Sequence, residues 1–480
     1  MNHVSGFDFL PNEIYLHILQ GIPGDTRTLN ALTQISKRCH DFFNSVLYEN
    51  VPATALRTLS LSEQDRLPLT GPHPASYVKK LSVSPPGVYP VVLKEQMIFA
   101  MRNVTLYASS DGIQSFAFCC FSISLPEVFG DTIPLALRFI KELSLRFSLK
   151  NSLTLACSLC GSSLTRLELD FGGFVALPDF HTLATFIKHL PSSSRNLNQL
   201  SLRLPDSKSH KASDHYKVFT CILSDEDFVF PLLTDFSYNL QGVDLRTYKL
   251  VSKSIPAFFQ RHPQIEALHY DQPGFRLDPP NLEPLTCPGI LPQLRRFEGL
   301  VEDAILLLCK EGGTSPTLEQ LVLTPSNYSS RHELAVRVRD ALATAPFIRK
   351  LYLQDPFEFI YAPGYSSEDI LAITNVCPGL IHFECVVIIN IEKVDIANTL
   401  NVLYKNILGD LPRLVYLKLS IAILPAAQPG SLEDPHRTQR MRQLNKLAIV
   451  AAMSIHSRTS NELTVHVYER QSSGSCSQIL

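Results

Sequence analysis

A short phrase recurs along this chain, and it limits the possible folds more than any other feature. The phrase is one apolar residue, two variable ones, an apolar one, one variable and an apolar one. It occurs as Val78 to Val83, Ile140 to Leu145, Leu164 to Leu169 and Leu197 to Leu202. It returns as Leu233 to Tyr238, Ile265 to Tyr270, Leu318 to Leu323, Ile348 to Leu353, Leu380 to Cys385 and Leu414 to Leu419. Weaker copies centre on Val104, Phe297 and Leu447. Spacings run from about 23 to about 39 residues, a period that signals stacked repeats. Alternation of apolar and variable residues is the mark of a strand buried on one face. Ahead of many copies the spacing turns helical, as at Leu183, Phe186, Ile187 and Leu190, and at Val336, Val338, Leu342 and Ala343. A proline often intervenes, at Pro191, Pro263, Pro346, Pro378 and Pro412, and is expected to stop the helix by removing a donor and clashing with the preceding turn. Each unit therefore reads helix, break, strand.

Stacked units of this kind give an α/β solenoid with a parallel sheet inside and helices outside. The pattern resembles an irregular leucine-rich repeat, although the spacing varies and no Asn ladder is evident. Side chains alternate along a strand, so the apolar positions would enter the core and the variable ones would line the open face. That assigns Glu142, Ser144 and Arg146, then Arg166, Glu168 and Asp170, then Gln199, Ser201 and Arg203 to the surface. Arg296 and Glu298, Lys350, Tyr352 and Gln354, and His382 and Glu384 follow. Among them Arg146, Arg166, Asp170, Arg203, Lys350, Tyr352 and His382 are the candidate contacts for a bound protein. The alternative is a solvated face whose cross-strand charge pairs contribute a few tenths of a kcal/mol each.

Composition narrows the function classes. Hydrophobic residues make up 45% and charged residues 18%, which suits a folded chain with an extended core. Lys plus Arg (43) nearly balances Asp plus Glu (45), so no basic field draws the chain to nucleic acid or a membrane surface. The longest apolar runs, Ala304 to Cys309 and Cys385 to Ile391, fall far short of a membrane span. No secretory signal is visible, and the expected location is intracellular, in cytoplasm or nucleus. Eleven Cys without regular spacing then fit reduced thiols, and the sequons at Asn103 and Asn327 fit chance matches.

The first fifty residues differ from the rest. Leu10-Pro11 opens an apolar helix pattern at Ile14, Leu16, Ile18 and Leu19. Gly21 to Gly24 ends it, and Asp25 or Thr26 can cap the next helix. Leu29, Leu32 and Ile35, then Cys39, Phe42, Phe43, Val46 and Leu47, mark two more. Three short helices have too little volume for so much apolar surface, so the bundle either caps the repeats or docks on another protein.

Leu10-Pro11-x-Glu13-Ile14, Ile18-Leu19, Leu29, Leu32, Ile35-Ser36-Lys37-Arg38 and Leu47-Tyr48-x-x-Val51 resemble the F-box in the form common in filamentous fungi. Many members carry an aromatic residue after the basic pair, where this chain has Cys39. The resemblance covers roughly a tenth of the chain. It implies docking on a Skp-type adaptor, and through it on a cullin-RING ubiquitin ligase. The contacts it implies are Leu10, Pro11, Ile14, Ile18, Leu19, Leu29, Leu32, Ile35 and Cys39; the repeats behind the bundle also need a cap, and Phe42 to Val51 is expected to lock the bundle to the first of them.

Catalytic motifs are missing: there is no GxSxG elbow, P-loop, HExxH or glycine fingerprint. Cys157-Ser-Leu-Cys160 has no second pair at zinc spacing and reads as core packing; His210 and His215 lie in a polar insertion, and Cys119-Cys120 in an apolar run. No metal or cofactor is expected, and no enzymatic site. The domain reading is residues 1–52 as F-box, 53–77 as connection, 78–469 as repeats and 470–480 as a flexible tail, with loop insertions at Pro205 to Lys217 and Leu424 to Arg440. The expected function is a substrate receptor of a Skp-cullin-F-box ligase holding an unknown protein. The rival is a scaffold that uses the adaptor without ubiquitination.

Overall fold

A computed structural model describes residues 10–22, 25–51, 59, 73–83, 91–108, 112–119, 125–130, 134–146, 152–171, 180–203, 219–239, 254–271, 290–308, 317–324, 331–354, 365–390, 396–424, 463–470 and 476–478. Cys120, the copy at Leu447, and both insertions apart from Leu424, with His210 and His215, lie outside these residues. The chain forms two compact units, Met1–Leu233 and Thr234–Leu480.

The first unit opens with three helices, α1 (Asn12–Gly21), α2 (Thr26–Leu32) and α3 (Lys37–Glu49). Asp25 caps α2, its carboxylate accepting from the backbone N–H of Arg27 and Thr28 at 3.0 and 3.2 Å. Ser36 caps α3 by accepting from Cys39 N–H at 3.2 Å. Both satisfy donors that a helix start leaves open. Strands β1 (Asn50–Val51), β2 (Lys80–Val83), β3 (Ser115–Phe118), β4 (Glu142–Arg146), β5 (Arg166–Asp170) and β6 (Gln199–Arg203) then pair in sequence order, all parallel. Helices Val91–Tyr107, Leu125–Phe129, Ser152–Leu159 and Phe180–Ser193 lie between successive strands in the chain, as parallel neighbours require of their connections.

Two expectations change here. Val104 belongs to the helix Val91–Tyr107 and is fully buried, while Leu106 is 71% exposed. The strand it was taken for is β3, whose phrase is Ile113, Phe116 and Phe118. Pro191 does not stop its helix, which runs on to Ser193. Pro191 cannot donate to the carbonyl four residues back, that of Ile187, yet the helix continues for two residues, where the hydroxyls of Ser192 and Ser193 donate to His189 O at 2.8 and 3.0 Å.

The second unit repeats the plan. β7 (Asp235–Asn239), β8 (Ala267–Asp271), β9 (Arg296–Leu300), β10 (Gln320–Thr324), β11 (Lys350–Leu353), β12 (His382–Asn390), β13 (Tyr416–Leu424) and β14 (Leu463–Arg470) are parallel neighbours in that order. β15 (Cys476–Gln478) pairs antiparallel with β14, so the tail expected to be flexible contains a strand. Helices Val301–Leu308, Arg331–Ala343, Ser367–Asn375 and Ile396–Asp410 separate strands. Ser367–Asn375 starts with a reciprocal cap, Ser366 accepting from Asp369 N–H at 3.1 Å while the Asp369 carboxylate accepts from Ser366 N–H at 3.3 Å.

One turn recurs before the strands. The first apolar residue of the phrase donates its N–H to the carbonyl three residues back, at 3.2 Å for Ile265 to His262, 3.2 Å for Ile348 to Ala345, and 3.1 Å for Leu380 to Cys377 and Leu414 to Leu411. Pro263, Pro346, Pro378 and Pro412 occupy the second position of these turns, where a fixed φ suits the geometry. The next residue already bonds to the preceding repeat, as Arg349 N–H does to Glu319 O at 2.9 Å. The turn thus sets the register of each strand.

The buried strand positions form the core. Leu143 and Leu145, Leu167 and Leu169, and Leu200 and Leu202 are at most 2% exposed, as are Leu321 and Leu323, and Leu351 and Leu353. Each such side chain contributes about 1.5–3 kcal/mol through burial. Among the described residues no helix is long and apolar enough to cross a membrane.

Candidate functional site

Two surfaces gather the predicted residues, one on the helical bundle and one on the open face of the sheet. In the bundle, Tyr15, Cys39 and Phe43 are fully buried and Leu29 is 6% exposed. The Tyr15 ring packs edge-on against Phe43 at 5.6 Å and tilted against Phe42 at 5.0 Å. Leu10, Ile18, Leu19, Leu32, Phe42, Val46 and Leu47 are partly buried against this core.

The bundle therefore has an interior of its own, and the expected contacts divide. Leu29, 6% exposed, and Cys39, fully buried, face inward and offer a partner little surface in this structure, unlike the contacts expected of them. Pro11 is exposed, as are Ile14 at 41% and Ile35 at 39%. Leu16, 52% exposed, lies two positions after Ile14 on α1 and so points to a different side of the helix. Beside this apolar set, Arg38 holds Asn12 through a hydrogen bond of 2.9 Å and lies over the Tyr15 ring, 5.6 Å from its centroid. Tyr15 was passed over because the pattern of α1 was read from Ile14, Leu16, Ile18 and Leu19 alone. The signal was its aromatic ring one position after Ile14.

On the sheet face of the first unit, register places Arg146, Asp170 and Arg203 side by side. Asp170 takes Arg146 at 3.0 Å and Arg203 at 3.8 Å. Arg166 sits exposed at the start of β5, next to Glu142 and Gln199 in register. The three arginines of β4 to β6 meet three acids, Glu142, Glu168 and Asp170, so this patch is balanced.

In the second unit, register aligns Lys350, His382 and Tyr416 in one row and Tyr352, Glu384 and Lys418 in the next. The His382 ring is stacked on Tyr416 at 4.1 Å and lies against Tyr352 at 4.7 Å. Its Nε2 is 3.0 Å from Glu384, which also takes Lys418 at 3.4 Å. Across β10, Glu298 is bound by His269 at 3.0 Å and Arg296 at 2.7 Å. Burial pushes the Glu298 carboxyl up, but the hydrogen bonds and charges of His269 and Arg296 outweigh it, and the net direction is down. Burial raises the Tyr352 phenol, assisted by the Glu384 charge and opposed by Arg296.

Lys350, Tyr352 and His382 thus come together as one patch, and Arg146, Asp170 and Arg203 as another. Tyr416, Lys418 and His269 were missed, although Tyr416 and Lys418 occupy the variable positions of the Leu414 phrase. The surface can bind through rings and charges; among the described residues no group of three His, Cys, Asp or Glu could hold a metal ion. Of the CxxC pair, Cys160 is buried with its thiol pushed up to about 12 by burial first and Cys157 second, and Cys157 is exposed.

The chain is an α/β protein of stacked strand and helix repeats. No protein-family model matches it, and no curated protein matches it either.

Proposed function

We propose that this protein is a substrate receptor of a Skp-cullin-type ubiquitin ligase. The bundle docks on a Skp-type adaptor and the sheet face holds a protein substrate. Its role is proximity: one part grips the ligase, another grips the target, and ubiquitin arrives at a concentration set by geometry. The observation that carries this reading is the exposed apolar set Pro11, Ile14 and Ile35 on a bundle whose core is already closed by Tyr15, Cys39 and Phe43. Apolar surface that the fold itself does not use suits a protein partner.

Co-expression with a Skp-type adaptor tests it. The complex is expected to survive purification, and a chain with Pro11→Ala and Ile14→Asp is expected to lose it while keeping its melting temperature. Equal recovery of the two chains would refute adaptor docking. A complex that forms but recruits no cullin would favour the scaffold reading.

A further inference from the structure

From the patch on β11 to β13 we infer that the second unit binds an acidic segment of a protein carrying an aromatic or bulky apolar anchor. This deepens the receptor reading and rests on it for the idea that the partner is a protein. The first observation is charge. Glu298 lies 2.7 Å from Arg296 and 3.0 Å from His269, and Glu384 lies 3.4 Å from Lys418 and 3.0 Å from His382, so each carboxylate has one fixed positive charge and one imidazole beside it. Lys350, between Gln320 and His382 in register, has no ion pair among the described residues. The face from β9 to β13 carries Arg296, Lys350 and Lys418 against two glutamates, so one positive charge remains. The β4 to β6 patch, with its charges balanced, leaves none.

The second observation is the ring stack. Tyr352, His382 and Tyr416 are partly exposed and lie on adjacent strands, so their edges form a continuous platform beside Lys350. His382 is held in place by Glu384, which fixes the platform before any partner arrives. Rings with two torsions bury large area at low entropic cost, and the adjacent ammonium adds the preference for carboxylates. A nucleic acid strand would also stack on rings, but following its phosphates takes a row of free cations, and among the described residues of this face Lys350 is the lysine or arginine left without an ion pair.

Fluorescence anisotropy on the full chain tests this with a short labelled peptide, a central phenylalanine flanked by glutamates. Comparison probes are the same peptide with alanine at the centre, one with lysines for glutamates, and a single-stranded oligothymidine. The acidic phenylalanine peptide is expected to bind tightest. Lys350→Glu is expected to weaken it roughly tenfold, Tyr352→Ala by a similar factor, and Lys188→Ala, an exposed change on the helix Phe180–Ser193, not at all. Binding unchanged by Lys350→Glu, no preference for the acidic peptide, or tighter binding of the oligonucleotide would each overturn the inference. Adaptor co-purification on the same preparations is expected to be unaffected by Lys350→Glu. Its failure in the unmodified chain would strike the receptor reading alone, because the peptide measurement does not involve the adaptor.

Discussion

The thiol of Cys39 lies 3.9 Å from the hydroxyl of Tyr15, and both residues are fully enclosed by the bundle. Cys39, which stands where many F-box members carry an aromatic residue and was expected to meet the adaptor, is interior in this structure. The small thiol there leaves room for the Tyr15 ring, which packs against Phe42 and Phe43. This packing separates residues that hold the bundle from residues free to meet a partner.

Urea denaturation of single variants checks that separation. Tyr15→Ala empties a buried site and is expected to cost about 3–5 kcal/mol. Cys39→Trp forces a large ring into filled space, at about 1–3 kcal/mol. Ile14→Ser, at an exposed position, is expected to stay within about 0.5 kcal/mol. An unshifted midpoint for Cys39→Trp would contradict the packing described.

His262 gives the second unit a pH response. It is fully buried, with Nδ1 2.7 Å from Phe258 O, and burial first, then the Arg261 charge, bring its ordinary 6.5 down to about 4 against the pull of that hydrogen bond. Between these values the unfolded chain binds a proton that the folded chain refuses. Stability therefore falls as pH drops from about 6.5 to about 4, by up to roughly 3 kcal/mol, and the loss is complete below the folded value. Chemical denaturation across that window is expected to show a flatter profile for His262→Gln.

Gly299 is paired with Tyr270 in register, and an added Cβ would stand 2.6 Å from Tyr270 O and 2.8 Å from the tip of the Phe297 ring. The backbone oxygen cannot swing aside, so β8 and β9 would have to part. Gly299→Ala is expected to cost about 1–3 kcal/mol by the same denaturation assay. A neutral result would mean that the strands separate easily.

Alkylation of the native protein followed by mass spectrometry is expected to modify Cys157 well ahead of Cys160. Cys157 is exposed, whereas Cys160 is 6% exposed and its thiol is raised to about 12 by burial first and its neighbour Cys157 second. Equal labelling would indicate local opening of the helix Ser152–Leu159.

The strands were legible because their apolar positions repeat with the strand period, and the ten full copies of the phrase all contain strand residues. β3 escaped because Val104 and Leu106 mimic that alternation. On a helix, positions two apart point to different sides, which is why one is buried and the other exposed. The meeting of Tyr352, His382 and Tyr416 follows from aligning the phrases, so that patch could have been assembled from the sequence. The bundle was harder. Which face of each short helix closes inward depends on packing between helices, and no local pattern marks Leu29 and Cys39 as interior while leaving Ile14 and Ile35 outside.

α3 ends at Glu49 and β1 begins at Asn50, with no intervening residue. Asn50 is already in register with Lys80, and Lys79 N–H donates to Glu49 O at 3.1 Å. The last helix of the bundle is thus welded to the first rung of the ladder. Whatever grasps the bundle holds a handle without a swivel, so torque on the helices turns β1 to β6 with them, and the grip dictates where the patch of Arg146, Asp170 and Arg203 faces.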